Sequence, residues 1–193
     1  LNVVLMGMRG CGKSTVGPVL ANFLANNLGD RYRFVDLDEH TTRVLGKQSV
    51  SEAFASLGEP AFRAGETTAL AQCLQSRSQV IALGGGTPTA PGAAELLLGA
   101  KASSHASPQG HASARVVYLR ASARTLQARL RADPNLHQRP SLTGLHPVLE
   151  APILLEQREP VYIKLADVIV SVEGRTPDEI AHEIASAIAT RLR

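Results

Sequence analysis

The run GMRGCGKST, Gly7 to Thr15, sets three glycines, a lysine and two hydroxyl residues in the spacing G-x-x-x-x-G-K-[ST]. A turn of this kind brings backbone N–H groups close to an anion, and the helix that follows aims its positive dipole end at the same point. In that arrangement Gly10, Cys11, Gly12, Lys13, Ser14 and Thr15 cradle the phosphates of a nucleotide. Lys13 supplies a full charge that reaches the β- and γ-phosphates, and the Ser14 hydroxyl is placed to ligate a Mg²⁺ bridging them. The loop does not name the group that receives the phosphoryl, because kinases, GTPases and motor ATPases share it.

Further groups with chemistry follow at intervals. VDLDEH offers Asp36 and Asp38, which could hold a metal or a substrate hydroxyl, or simply cap the next helix. FRAGE offers Arg63, with Glu66 three residues on to hold its guanidinium, and QREPVY offers Arg158. A guanidinium fork suits a planar carboxylate, although either arginine taken alone reads as a solvated helix residue. Gly84, Gly85 and Gly86 carry no side chain, so a substrate ring can approach their backbone. Arg139 stands beside Pro140 in the loop-like stretch DPNLHQRPSLTGLHP, residues 133–147. That stretch is either a lid over a phosphate site or a plain connector.

Five short β-branched runs must position these groups: LNVVLMG, YRFVDLD, SQVIALGGG, ARVVYLRAS and ADVIVSV. None alternates cleanly, as befits parallel strands buried on both faces. Amphipathic stretches such as AFRAGETTALAQCLQ and ARTLQARLRAD lie between them. The last helix opens with Thr176 as cap, Pro177 at its first position and Glu179 completing a capping box. Alternating strands and helices predict a doubly wound α/β sheet, with ligands beyond the carboxyl ends of its strands. The small polar run AKASSHASPQGHASA, residues 100–114, reads as a surface insertion before the fourth strand.

With 193 residues the chain is expected to form one domain over 1–193. A net charge of +3 with scattered arginines gives no footprint for nucleic acid, and no apolar run is long enough to span a membrane. Cys11 lies in the phosphate loop and Cys73 in a helix, so both read as free thiols. The six histidines lack metal-ligand spacing and read as surface residues.

In this order and at these separations, GMRGCGKST, DLDEH, FRAGE, ALGGGT, RP and REPVY resemble the shikimate kinases over essentially the whole chain. The resemblance implies a three-layer P-loop fold, a five-stranded parallel sheet flanked by helices with a mobile lid at about 133–147. It implies ATP-dependent phosphorylation of the shikimate 3-hydroxyl, with Mg²⁺ as cofactor, in aromatic amino-acid synthesis in the cytoplasm. It gives Asp36, with Ser14, the metal side, and Asp38 the shikimate hydroxyls including the acceptor. Arg63, Arg158, Gly85 and Gly86 take substrate, and Lys13, Asp38 and Arg139 carry the transfer. Arg129 lies against adenine, with Arg131 close by in RLRAD as a competing choice, and Arg175 and Pro177 flank the base. A monomer binding only shikimate and ATP is expected. The alternatives are a related small-metabolite kinase, such as gluconate kinase, and a non-enzymatic nucleotide-binding regulatory module. The absence of an N-K-x-D stretch argues against a guanine-nucleotide switch.

Overall fold

The computed structural model describes residues 1–28, 31–102, 112–134, 136 and 144–190. Five strands form one sheet: β1 (Asn2–Met6), β2 (Arg33–Asp36), β3 (Gln79–Ala82), β4 (Ala114–Arg120) and β5 (Val168–Ser171). Their order is β2-β3-β1-β4-β5, and every pairing is parallel. The register sets Val4 of β1 opposite Ile81 on one side and Val116 on the other. All five residues of β1 are buried, which explains why the strand shows no alternation.

Among the described residues, seven α-helices cover the sheet: α1 (Lys13–Leu28), α2 (Leu37–Val44), α3 (Val50–Gln75), α4 (Ala93–Ala102), α5 (Ala123–Arg131), α6 (Pro147–Leu165) and α7 (Pro177–Thr190). Helix α1 packs on α7, and α4 packs on α3 and α6. Helix α3 is broken at Gly58, whose φ of 80° leaves the helical region, and Pro60 follows in the first turn of its second half. The chain leaves β1 toward β2 and returns through β3 before crossing to β4. The carboxyl ends of β1 and β3 therefore flank a topological switch point, where α/β sheets open a crevice.

All five predicted strands are present, and three boundaries differ from expectation. Strand β2 ends at Asp36, so Asp38 sits in the first turn of α2 instead of on the strand. Residues 100–102 belong to α4, while Ala112 donates to the Leu74 carbonyl and Ala114 opens β4. Of the supposed insertion, 103–111 fall outside the described residues. Pro147 is the first residue of α6, capped by His146, because proline suits the first helical position. Most of the supposed lid, including Arg139 and Pro140, lies outside the described residues.

The capping box of α7 is present: Glu179 N–H donates to Thr176 Oγ1 at 3.3 Å, and Thr176 N–H donates to the Glu179 carboxylate at 2.8 Å. The backbone N–H of Thr176, then its hydroxyl, hold the Glu179 carboxyl below its ordinary value of 4.5. A depressed carboxyl stabilises the fold above its unfolded pKa, and that contribution is lost as pH falls through the folded pKa. Glu179→Gln is therefore expected to lower the urea midpoint at pH 7. The gap from the parent chain should close as pH drops below 4.5, checked by urea titrations at several pH values.

Candidate active site

The phosphate loop follows β1 directly. Gly10 and Gly12 adopt φ of 83° and 102°, in the left-handed region that side chains avoid, so the loop needs glycine at both. The turn closes through Cys11 N–H donating to the Met8 carbonyl at 3.2 Å, and α1 begins with Val16 N–H donating to Gly12 at 2.8 Å. Lys13 is buried in the loop and donates from Nζ to the carbonyls of Gly7 at 2.8 Å and Met8 at 3.0 Å. Gly10, Cys11, Gly12, Lys13, Ser14 and Thr15 all line one wide cleft.

Arg129, Arg175 and Pro177 line the same cleft. Arg129 donates to the carbonyls of Gly10 and Cys11 at 3.3 and 3.2 Å, and to Val172 at 3.4 Å. It thus ties the phosphate loop to the segment after β5. Arg131, its neighbour in sequence, is exposed and outside the cleft lining. Glu173 fixes the same segment from the other side, accepting from Ser122 N–H at 2.6 Å and Thr125 Oγ1 at 2.5 Å. Those two donors hold its carboxyl below the ordinary value.

Ser14 Oγ donates to Asp36 Oδ2 at 3.0 Å, while Asp36 Oδ1 accepts from Asp38 N–H at 3.0 Å and caps α2. Capping and the contact with Ser14 are compatible, since a carboxylate has two oxygens. An exposed hydroxyl beside a carboxylate is a hard-oxygen pair of the kind Mg²⁺ prefers, so these residues fit that ion. Among the described residues there is no cluster of three or more His, Cys, Asp or Glu able to hold a metal unaided. A site of this kind is completed by water and phosphate oxygens.

A second, smaller pocket adjoins the cleft. Asp38, Arg63, Gly84, Gly85, Gly86 and Arg158 line it, so the predicted substrate residues converge from α2, α3, the β3 turn and α6. Asp38 and Gly85 line both cavities and stand at their junction. Arg63 is held in three ways. Nη1 donates to buried Glu66 at 2.6 Å, while Nε and Nη2 donate to Glu59 at 3.2 and 3.0 Å. The guanidinium also lies 5.7 and 5.9 Å from the ring centres of Phe54 and Phe62. Glu66 in turn accepts from Thr87 Oγ1 at 2.5 Å. Burial pushes the Glu66 carboxyl above its ordinary value, against the pull of Arg63 and Thr87. Burial would lower Arg63, but Glu66 and Glu59 overcome it, so the guanidinium stays charged.

The two anionic partners of Arg63 differ. Glu66 is 1 % exposed and fixed, whereas Glu59 is 48 % exposed. A half-exposed pair contributes little and exchanges readily, so an incoming carboxylate can take the place of Glu59. Sequence reading missed Phe54 and Phe62 in the lining of this pocket, and Glu59 and Thr87 as the partners of Arg63 and Glu66. The only signal for the aromatic wall was two phenylalanines eight positions apart, a spacing obscured by the break at Gly58.

A scan of family models matches residues 9–189 to the model described as shikimate kinase. A shikimate kinase of Synechococcus sp. (strain RCC307) is 36 % identical over 193 residues, covering 100 % of this chain and 86 % of that protein. One from Chlorobium chlorochromatii (strain CaD3) is 36 % identical over 99 % of this chain and 92 % of its own. Among solved structures, shikimate kinase from Acinetobacter baumannii in complex with shikimate superposes with a TM-score of 0.81. It is 28 % identical and covers 98 % of this chain and 93 % of that one. A gluconokinase from Sinorhizobium meliloti, at 18 % identity and a TM-score of 0.50, shares the fold alone. With motif, geometry and end-to-end similarity in agreement, this chain belongs to the shikimate kinase family.

Proposed function

We propose that this protein transfers the γ-phosphoryl of ATP to the 3-hydroxyl of shikimate, giving shikimate 3-phosphate and ADP. The observation that carries this reading is Asp38, a carboxylate shared between a phosphate-loop cleft and a pocket lined by Arg9, Arg63 and Arg158. A polyol carboxylate fits that pocket: its carboxylate toward Arg63 and Arg158, its ring against Gly85 and Gly86, and its acceptor hydroxyl at Asp38. Family membership supports the same substrate and removes the case for a regulatory module. The gluconokinase reading rests on the fold only.

In the transfer the acceptor oxygen forms its bond to the γ-phosphorus as the bond to the β–γ bridging oxygen breaks, and ADP leaves. Asp38 accepts the hydrogen bond of the acceptor hydroxyl, orients it and is placed to take the proton that the oxygen gives up as it bonds to phosphorus. Lys13 faces the transferring group with a fixed charge in a water-poor loop, where such a charge is worth most. Ser14 and Asp36 would hold Mg²⁺, which would offset the charge of the phosphates. Arg129, Arg175 and Pro177 line the same cleft, and the family resemblance assigns them the adenine. Arg139 is assigned the transferring phosphate on its sequence match alone. Among the described residues no helix is long and apolar enough to cross a membrane. A cytoplasmic monomer remains the expectation from sequence.

Release of ADP stimulated by shikimate, and not by gluconate, tests the reading directly. Release independent of any acceptor would overturn it. Lys13→Ala is expected to cut turnover by roughly 10²–10³-fold with the fold intact by circular dichroism. Near-normal turnover would remove Lys13 from the mechanism. Arg158→Ala should weaken shikimate binding by about 2–5 kcal/mol while ATP binding holds, both read by calorimetry. A Cβ at Gly86 would collide with the Arg63 guanidinium and push it from Glu66. Gly86→Ala should therefore weaken shikimate binding by about 1.5–3 kcal/mol, the range of one charged hydrogen bond, without loss of ATP affinity.

A further inference from the structure

Tyr162 lies on α6 one turn beyond Arg158, and its side chain is completely buried. Its hydroxyl meets three groups. Oη donates to the Gly85 carbonyl at 2.5 Å, Met8 Sδ is 3.5 Å away, and the Arg158 guanidinium lies beside the same oxygen. A phenol has one proton to give, and a carbonyl is a far better acceptor than a thioether. The proton therefore goes to Gly85, and the oxygen lone pairs are left facing Arg158. Residues four apart on a helix share a face, so Arg158 and Tyr162 reach this point together.

The Gly85 carbonyl and the Gly86 N–H belong to one rigid peptide plane, so a bond that fixes the first also fixes the second. Burial pushes the Tyr162 hydroxyl well above its ordinary value, with Arg158 opposing. The hydroxyl thus remains a donor across the working pH range. The ring packs against Tyr118 with centroids 5.2 Å apart, a contact that phenylalanine would keep.

We infer that Tyr162 is a positioning residue for the substrate site: its hydroxyl sets Arg158 and the Gly85–Gly86 peptide in register with each other. This inference rests on the substrate reading above. The hydroxyl's contact with the phosphate loop is the weak thioether of Met8, whereas its strong bond goes to Gly85, so it governs acceptor binding more than the chemical step.

The test is Tyr162→Phe in the full chain, alone and combined with Arg158→Ala, with steady-state kinetics for both substrates. Tyr162→Phe should raise KM for shikimate about five- to thirtyfold, the effect of losing one buried hydrogen bond. Turnover and KM for ATP should stay within about twofold, and the ratio should not change between pH 6 and 9. In the double variant the KM increase should fall short of the product of the two single effects, because both act through the same guanidinium. An unchanged shikimate KM in a folded Tyr162→Phe overturns the inference. So does an equal loss toward ATP, or strictly multiplicative effects in the double variant. Failure of the parent chain to use shikimate would overturn the substrate reading and this inference with it, a result distinct from the other three.

Discussion

β1 leaves no space for solvent on either face: Val3, Val4, Leu5 and Met6 are fully buried between two helical layers. Its one polar side chain, Asn2, is buried as well and is satisfied by the Ser76 carbonyl and the Gln79 N–H. A strand enclosed in this way can change direction only at its end. The chain must turn at once, and the glycine loop makes that turn with backbone N–H groups turned outward. Because the neighbouring strands run parallel, their ends open on the same edge, and the phosphate loop, Asp36 and the glycine turn at 84–86 lie there.

Charge is distributed along the edge according to what can be desolvated. Glu66 is the most deeply buried acid of the site, and a carboxylate there is tolerable only with Arg63 and Thr87 both bonded to it. That requirement fixes α3 against the turn after β3. The pocket has little freedom as a result: a Cβ at Gly84 would meet the Asp38 and Glu66 oxygens at 2.5 and 2.6 Å. Closeness of two acids around a glycine leaves room for a neutral hydroxyl and repels a second anion. Arg63 and Arg158 line the same pocket and supply the positive charge that an anionic group needs.

Helix α6 carries Arg158 and is pinned to the sheet just beyond it. Glu159 accepts from Tyr118 Oη at 3.1 Å and from Arg120 Nε at 2.8 Å. Further along, Asp167 accepts from Val116 N–H at 2.8 Å and pairs with Lys101 of α4 at 3.1 Å. The exposed pairs add little stability singly, but together they limit rotation of the helix. A guanidinium on a long side chain has many rotamers, and directing it at one point depends on such restraint of its base.

Much of this protein is legible without coordinates, because much of it is decided within a few residues. The phosphate loop, the caps at Thr176 and Asp36, and the five β-branched runs depend on local φ preferences, on hydrogen bonds over two to four positions and on burial pattern. Even the pairing of Arg63 with Glu66 follows from helical spacing. Other features needed the folded chain. Asp38 belongs to a helix and not a strand, Arg129 and not Arg131 reaches the phosphate loop, and Glu59 shares Arg63. The hydroxyl of Tyr162 finds a carbonyl 77 positions away. Helical phase settles which arginine of RLRAD faces inward, and the seating of α6 on the sheet settles what Tyr162 touches. Both are outcomes of packing distant surfaces to close density, and no window of local sequence contains the second surface.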